Sequence, residues 1–82
     1  MPAGKILIGP HSVDASWAYG RHPMFDDIGR LWQVVIASAD CERLDLKPEI
    51  PILLEMPGQG PATVQYLGMM GRANNELLLF FV

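Results

Sequence analysis

The sequence predicts an α+β domain in which one helix packs on a small antiparallel sheet. Three observations favour this class: an apolar stripe at helical spacing follows Pro23, three β-prone segments follow Pro48, and a short β-prone segment precedes Gly9. Helical spacing of apolar residues predicts an amphipathic helix, and short apolar runs bounded by glycine and proline predict strands. The expected order is therefore strand, loop, helix and a three-strand meander, with the helix covering one face of the sheet.

The first strand is predicted over residues 5–8, where a weak alternation stops at Gly9-Pro10. Residues 10–22 are predicted to be irregular. Within them, a single helical turn over residues 13–19, capped by Ser12, is an open alternative to a plain loop.

The helix is predicted to begin at Pro23 and to end near residues 41–44. Proline suits a first helical position, and the acidic residues 26 and 27 suit the first turn of a helix. The apolar residues that follow at spacings of three and four are Phe25, Ile28, Trp32, Val35, Ile36 and Ala39. The alternative is a strand over residues 32–37, which are β-prone. The helix is preferred because the alternation of a half-buried strand is poor in this segment.

The meander is predicted from strands at residues 50–56, 63–70 and 76–82. Pro51 suggests an edge position for the first of them, and residues 71–75 form a connection rich in residues that tolerate positive φ. The last strand is apolar on both faces, so both of its sides need cover. It is therefore either central in the sheet or covered by a second chain.

Length, charge and cysteine content restrict the classes of function. The 82 residues predict one domain spanning residues 1–82, with a thin core; 50% are hydrophobic, which predicts apolar surface left for a partner. The net charge is −3 and the six Lys and Arg residues are scattered, whereas nucleic-acid and membrane-surface binding need clustered cations. The single cysteine and the absence of a long apolar run favour a cytoplasmic protein with no membrane partner.

No constellation of residues predicts catalysis, a cofactor or a metal site. Cys41 with His11 or His22 offers a thiolate–imidazole pair, but no motif flanks it, and the acidic residues beside Cys41 disfavour a thiolate. The histidines, acids and cysteine do not have the spacing of a compact metal site. Residues 58–60 predict a hairpin turn, because neither the lysine nor the helix of a phosphate loop follows. We therefore predict no enzyme activity.

Two segments resemble the CAP-Gly region of the cylindromatosis-type deubiquitinases. Residues 36–43 are similar to a segment just ahead of the first CAP-Gly domain, and residues 51–56 with 61–68 are similar to its opening strands. The resemblance implies an incomplete small barrel, with residues 76–82 as its apolar strand. The chain stops before the ligand-binding loop of that family, and the catalytic domain has no counterpart. No residue here therefore inherits a binding or catalytic role.

These features together predict a non-catalytic protein–protein interaction module or regulator. We expect residues 77–82 to add as a strand to the sheet of a partner or of a second copy, and loop aromatics to act as anchors. The predicted partner-binding residues are Trp17, Tyr19, Phe25, Leu77, Leu79, Phe80 and Phe81; the three loop aromatics have the alternative of folding back over a thin core. Two other functions stay open: a structural subunit of a homo-oligomeric assembly, and a small-ligand binder or enzyme that uses Cys41 and the histidines.

Overall fold

The computed structural model describes residues 1–82 and shows a mostly β fold. Strands hold 55% of the residues and helical elements 9%. The strands are β1 (Ala3–Ile8), β2 (His11–Arg21), β3 (Arg30–Ala37), β4 (Ile52–Glu55), β5 (Ala62–Val64), β6 (Tyr66–Arg72) and β7 (Glu76–Phe81). The helical elements are a 3₁₀ turn over Pro23–Phe25 and the four-residue helix α1 (Ser38–Cys41). Neither is long and apolar enough to cross a membrane.

All seven strands belong to one antiparallel sheet that curls into a half-barrel, in the order β5-β4-β1-β2-β3-β7-β6. The two end strands, β5 and β6, are consecutive in the chain and are separated by Gln65 alone. The backbone N–H of Gln65 donates to the carbonyl of Val82 at 2.8 Å, and the N–H of Val82 donates to the carbonyl of Gln65 at 3.0 Å. The run from β5 to β6 therefore pairs with β4 through its first part and with β7 through its second.

The main core lies on one face of the sheet and receives side chains from all seven strands. Its twelve buried residues are Ile6, Ile8, Val13, Trp17, Val34, Ile36, Leu54, Met56, Val64, Tyr66, Leu79 and Phe81. The segment that follows β3 covers this core, because Cys41, Leu44 and Leu46 pack against it. The side-chain amide of Gln65 donates to the carbonyl of Pro48 at 2.8 Å and ties this covering segment to the sheet.

A second, smaller cluster lies on the opposite face of β3 and β7. It contains Leu31, Val35, Leu78 and Phe80 and is called the outer cluster below. The segment of residues 22–28 covers it: the rings of His22 and Phe25 each lie 4.8 Å from the ring of Phe80, measured between centroids. β3 and β7 are therefore buried on both faces.

The predicted helix from Pro23 to the region of Cys41 is wrong, and so is the α+β class. The alternative strand forms instead, as β3. Its alternation was obscured because both of its faces are buried: Val34 and Ile36 enter the main core, and Leu31 and Val35 enter the outer cluster. Pro23 does begin a helical turn, but only a 3₁₀ turn.

Of the other predictions about secondary structure, some are confirmed and some are wrong. The strand at residues 5–8 is confirmed as part of β1, and the irregular segment or helical turn within residues 10–22 is wrong, because β2 occupies it. The edge position suggested by Pro51 is also wrong, since β4 pairs with both β1 and β5. The connection after β6 is confirmed: Asn74 and Asn75 adopt φ of 63° and 57°.

Candidate functional site

The terminal strand, for which we predicted partner binding, is an interior element of the sheet. β7 pairs with β3 on one side and with β6 on the other. Leu79, Phe80 and Phe81 are fully buried, and Leu77 is half-buried against the main core. The predicted role of this strand as an addition edge is therefore corrected: its backbone has partners on both sides, and its two apolar faces supply the two clusters.

The three aromatic residues assigned to a loop have different environments. Trp17 lies on β2 and is buried in the main core with 6% of its surface exposed. Phe25 is half-buried and packs on Phe80 in the outer cluster. The alternative of folding back over the core thus describes Trp17 and Phe25. Tyr19, on β2, is 49% exposed and is the one of the three that is open to a partner.

Tyr19 ends a row of aromatic side chains that crosses four neighbouring strands. The register places Tyr19 opposite Trp32, Trp32 opposite Phe81, and Phe81 opposite Tyr66. The ring centroids of Tyr19 and Trp32 are 4.9 Å apart, and those of Tyr66 and Phe81 are 5.7 Å apart. Burial is complete at Phe81, partial at Trp32 and least at Tyr19. The exposed ring is therefore backed by a packed aromatic layer.

Arg30 lies over the exposed end of this row. Its guanidinium carbon is 5.1 Å from the centroid of the Tyr19 ring, a cation–π distance. The charged groups of the other five lysines and arginines each lie within 4.0 Å of a carboxylate oxygen, and that of Arg30 does not. We call Tyr19, Trp32 and Arg30 the aromatic surface.

Sequence reasoning missed Trp32 and Arg30 as functional candidates because both fell within the predicted helix. The signal that could have found them is the hairpin formed by β2 and β3. A strand on either side of residues 22–29 places Tyr19 beside Trp32 and Arg21 beside Arg30. Gly29, with a φ of +94°, leads the chain into β3 at a conformation that favours glycine.

The alternative site at Cys41 is not assembled. Burial, and then the neighbouring charge of Glu42, raise the pKa of the Cys41 thiol, which disfavours the reactive thiolate at neutral pH. His11 begins β2 and His22 follows its last residue, so ten residues of an extended strand separate the two rings. No three His, Cys, Asp or Glu side chains are grouped closely enough to hold a metal ion.

The sheet has an open edge along β6. This seven-residue strand pairs with β7 on one side, and no strand follows it in the sheet. Arg72 is the only charged residue in the strand, and Met69 is 44% exposed. Natural proteins usually protect such edges with charges or proline. Because β6 has one charge, at its last residue, and no proline, its edge can accept a further strand.

Comparisons with protein-family models, curated proteins and solved structures found no match. The resemblance to the CAP-Gly region stays a prediction.

Proposed function

We propose that this chain is a non-catalytic interaction module that binds a segment of another protein at the aromatic surface. The observation that carries the proposal is the half-exposed Tyr19 ring, held at 4.9 Å from Trp32 at the open end of a buried aromatic row. Tyrosine, tryptophan and arginine are the residues enriched at the energetic centres of protein interfaces. All three side chains of the aromatic surface belong to this set.

Rigidity makes the aromatic surface a better anchor than an isolated surface tyrosine. Trp32 packs against the main core, and Arg30 lies on the Tyr19 ring. A partner that binds there meets side chains that are already ordered, so little conformational entropy remains to be lost on binding. A tyrosine on a mobile loop would lose more conformational entropy on binding.

The shape of the surface favours a polypeptide partner over a small molecule. Three surface depressions exist on the chain, and neither Tyr19 nor Trp32 lines any of them. Small-molecule sites are concave and enclose most of the ligand. An open aromatic platform instead suits an extended segment that lays its side chains across the rings.

The test compares partner binding by the unmodified chain, by Tyr19→Ser and by the matched control Leu53→Ser. Leu53 is a suitable control because it is 53% exposed, about as much as Tyr19. It lies far along the sheet from Tyr19, since its carbonyl accepts a hydrogen bond from the backbone N–H of Gly9, which precedes the start of β2, whereas Tyr19 is near the end of β2. Proteins captured by the unmodified chain are identified, purified and titrated by calorimetry. We expect Tyr19→Ser to weaken binding by about 2 kcal/mol, as at an interface anchor, and Leu53→Ser to change it little. A partner bound equally well by Tyr19→Ser contradicts the proposal.

A structural subunit that assembles with copies of itself is the second candidate, and the open edge of β6 favours it. Assembly through an added strand would be disrupted by a charge on the edge. Light scattering across a concentration series should then show an oligomer for the unmodified chain and a monomer for Met69→Lys. Met24→Lys, an exposed methionine in the 3₁₀ turn, is the control. A monomer at every concentration contradicts this candidate.

A further inference from the structure

We infer that the aromatic surface selects a partner segment in which a single carboxylate lies next to an apolar side chain. This inference rests on the proposed function and names the chemistry of the partner. Arg30 is the one residue among the lysines and arginines of the chain whose charged group has no carboxylate oxygen within 4.0 Å. An exposed guanidinium that lies over the Tyr19 ring offers a planar set of donors to a carboxylate, while the Tyr19 and Trp32 rings accept the apolar neighbour.

The register around Arg30 supports an anionic ligand. Arg21 and Arg30 are directly opposite each other on β2 and β3, so their side chains leave the sheet on the same face. Like charges in directly opposed positions destabilise a sheet. Asp26 offsets this only loosely, since its carboxylate oxygen is 3.9 Å from Arg21 and both side chains are mostly exposed. A bound carboxylate would offset the repulsion from the side of Arg30.

The charge of the whole chain limits how acidic the partner segment can be. The net charge is −3, so a run of carboxylates would be repelled at distances up to about 10 Å, the screening length at ordinary ionic strength. The negative net charge also disfavours a nucleic acid. In addition, two neighbouring arginines are too few to neutralise a phosphate backbone. One carboxylate gains the contact with Arg30 and meets the least repulsion.

The experiment titrates the full chain with small probes and follows the NMR signals of Tyr19, Trp32 and the Arg30 side chain. The probes are a capped leucyl-glutamate dipeptide, its leucyl-glutamine counterpart of the same shape, and a single-stranded oligothymidine. We expect the glutamate probe to bind about two- to fivefold more tightly than the glutamine probe, as for a favourable exposed ion pair. Arg30→Gln should remove this preference, and Arg72→Gln, which changes the net charge equally, should retain it.

Each other outcome overturns the inference in a recognisable way. Equal binding of the two dipeptides at the aromatic surface would refute the choice of a carboxylate and leave the proposed function standing. The same holds if Arg72→Gln removes the preference as fully as Arg30→Gln, because the effect would then come from net charge. Tighter binding of the oligothymidine would assign the surface to nucleic acid. No signal change with any probe up to its solubility limit would refute the inference, and the comparison of Tyr19→Ser with Leu53→Ser would then decide the proposed function separately.

Discussion

Removing the Phe25 ring should destabilise the chain, because this ring covers the outer cluster. Phe25 packs at 4.8 Å on Phe80, which is fully buried, and the segment that carries it is the cover over this face of β3 and β7. A phenylalanine-to-alanine change at a fully buried site costs about 3–5 kcal/mol. Since Phe25 is half-buried, we expect Phe25→Ala to lower the free energy of unfolding by about 2 kcal/mol.

Urea denaturation followed by tryptophan fluorescence measures this loss, with Met24→Ala as the matched control. Met24 is in the same 3₁₀ turn but is 56% exposed, so its truncation should change stability by less than about 0.5 kcal/mol. Phe25→Ala should also increase the binding of a hydrophobic dye, because Phe80 becomes accessible. If the two variants lose equal stability, or if neither loses any, residues 22–28 are not packed on the outer cluster and our reasoning is refuted.

Three further changes test the fold by urea denaturation. Gly9→Ala should lower the free energy of unfolding by about 1–2 kcal/mol, because Gly9 has a φ of +59° and an added Cβ would lie 3.1 Å from Cδ1 of Ile52. The control Gly20→Ala, whose added Cβ would have nothing within 4 Å, should lower it by less than about 1 kcal/mol. Equal losses for the two variants would contradict the contact with Ile52. Leu79→Ala should cost about 2–5 kcal/mol, since Leu79 is fully buried, and a loss below about 1 kcal/mol would contradict its place in the main core. The raised pKa of Cys41 means that the folded chain retains the thiol proton longer than the unfolded chain, so stability should be constant below about pH 8.5 and fall above it. Cys41→Ala should reduce this alkaline loss, and an unchanged loss would exclude Cys41 as its source.

The sequence predicted the elements whose signals are local. The strand before Gly9-Pro10 and the strand after Asn75 are both bounded by residues that stop or turn a chain, and both are observed. β2 could also have been predicted, because Val13, Ala15 and Trp17 alternate with polar residues at a period of two.

β3 and the aromatic surface depend on information that is not local. β3 lacks alternation because residues 22–28 fold back over its outer face, a contact that no window of sequence shows. The free guanidinium of Arg30 is visible only when the register of β2 and β3 is known and the carboxylate partners of the other cations are located. For the same reason, the apolar residues of β7 were assigned to a partner although they complete the two clusters of the chain itself.

The pairing of β3 with β7 has a consequence for the rate of folding. These strands are neighbours in the sheet, yet α1, β4, β5 and β6 all separate them along the chain. The β1–β2, β2–β3 and β6–β7 hairpins can form within microseconds, but the β3–β7 pairing must first close a long loop. We therefore expect the whole chain to fold in milliseconds to seconds, like other sheets built on distant pairings. Until that step is complete, Phe80 and Phe81 stay accessible, and this is the interval in which the chain is most exposed to aggregation.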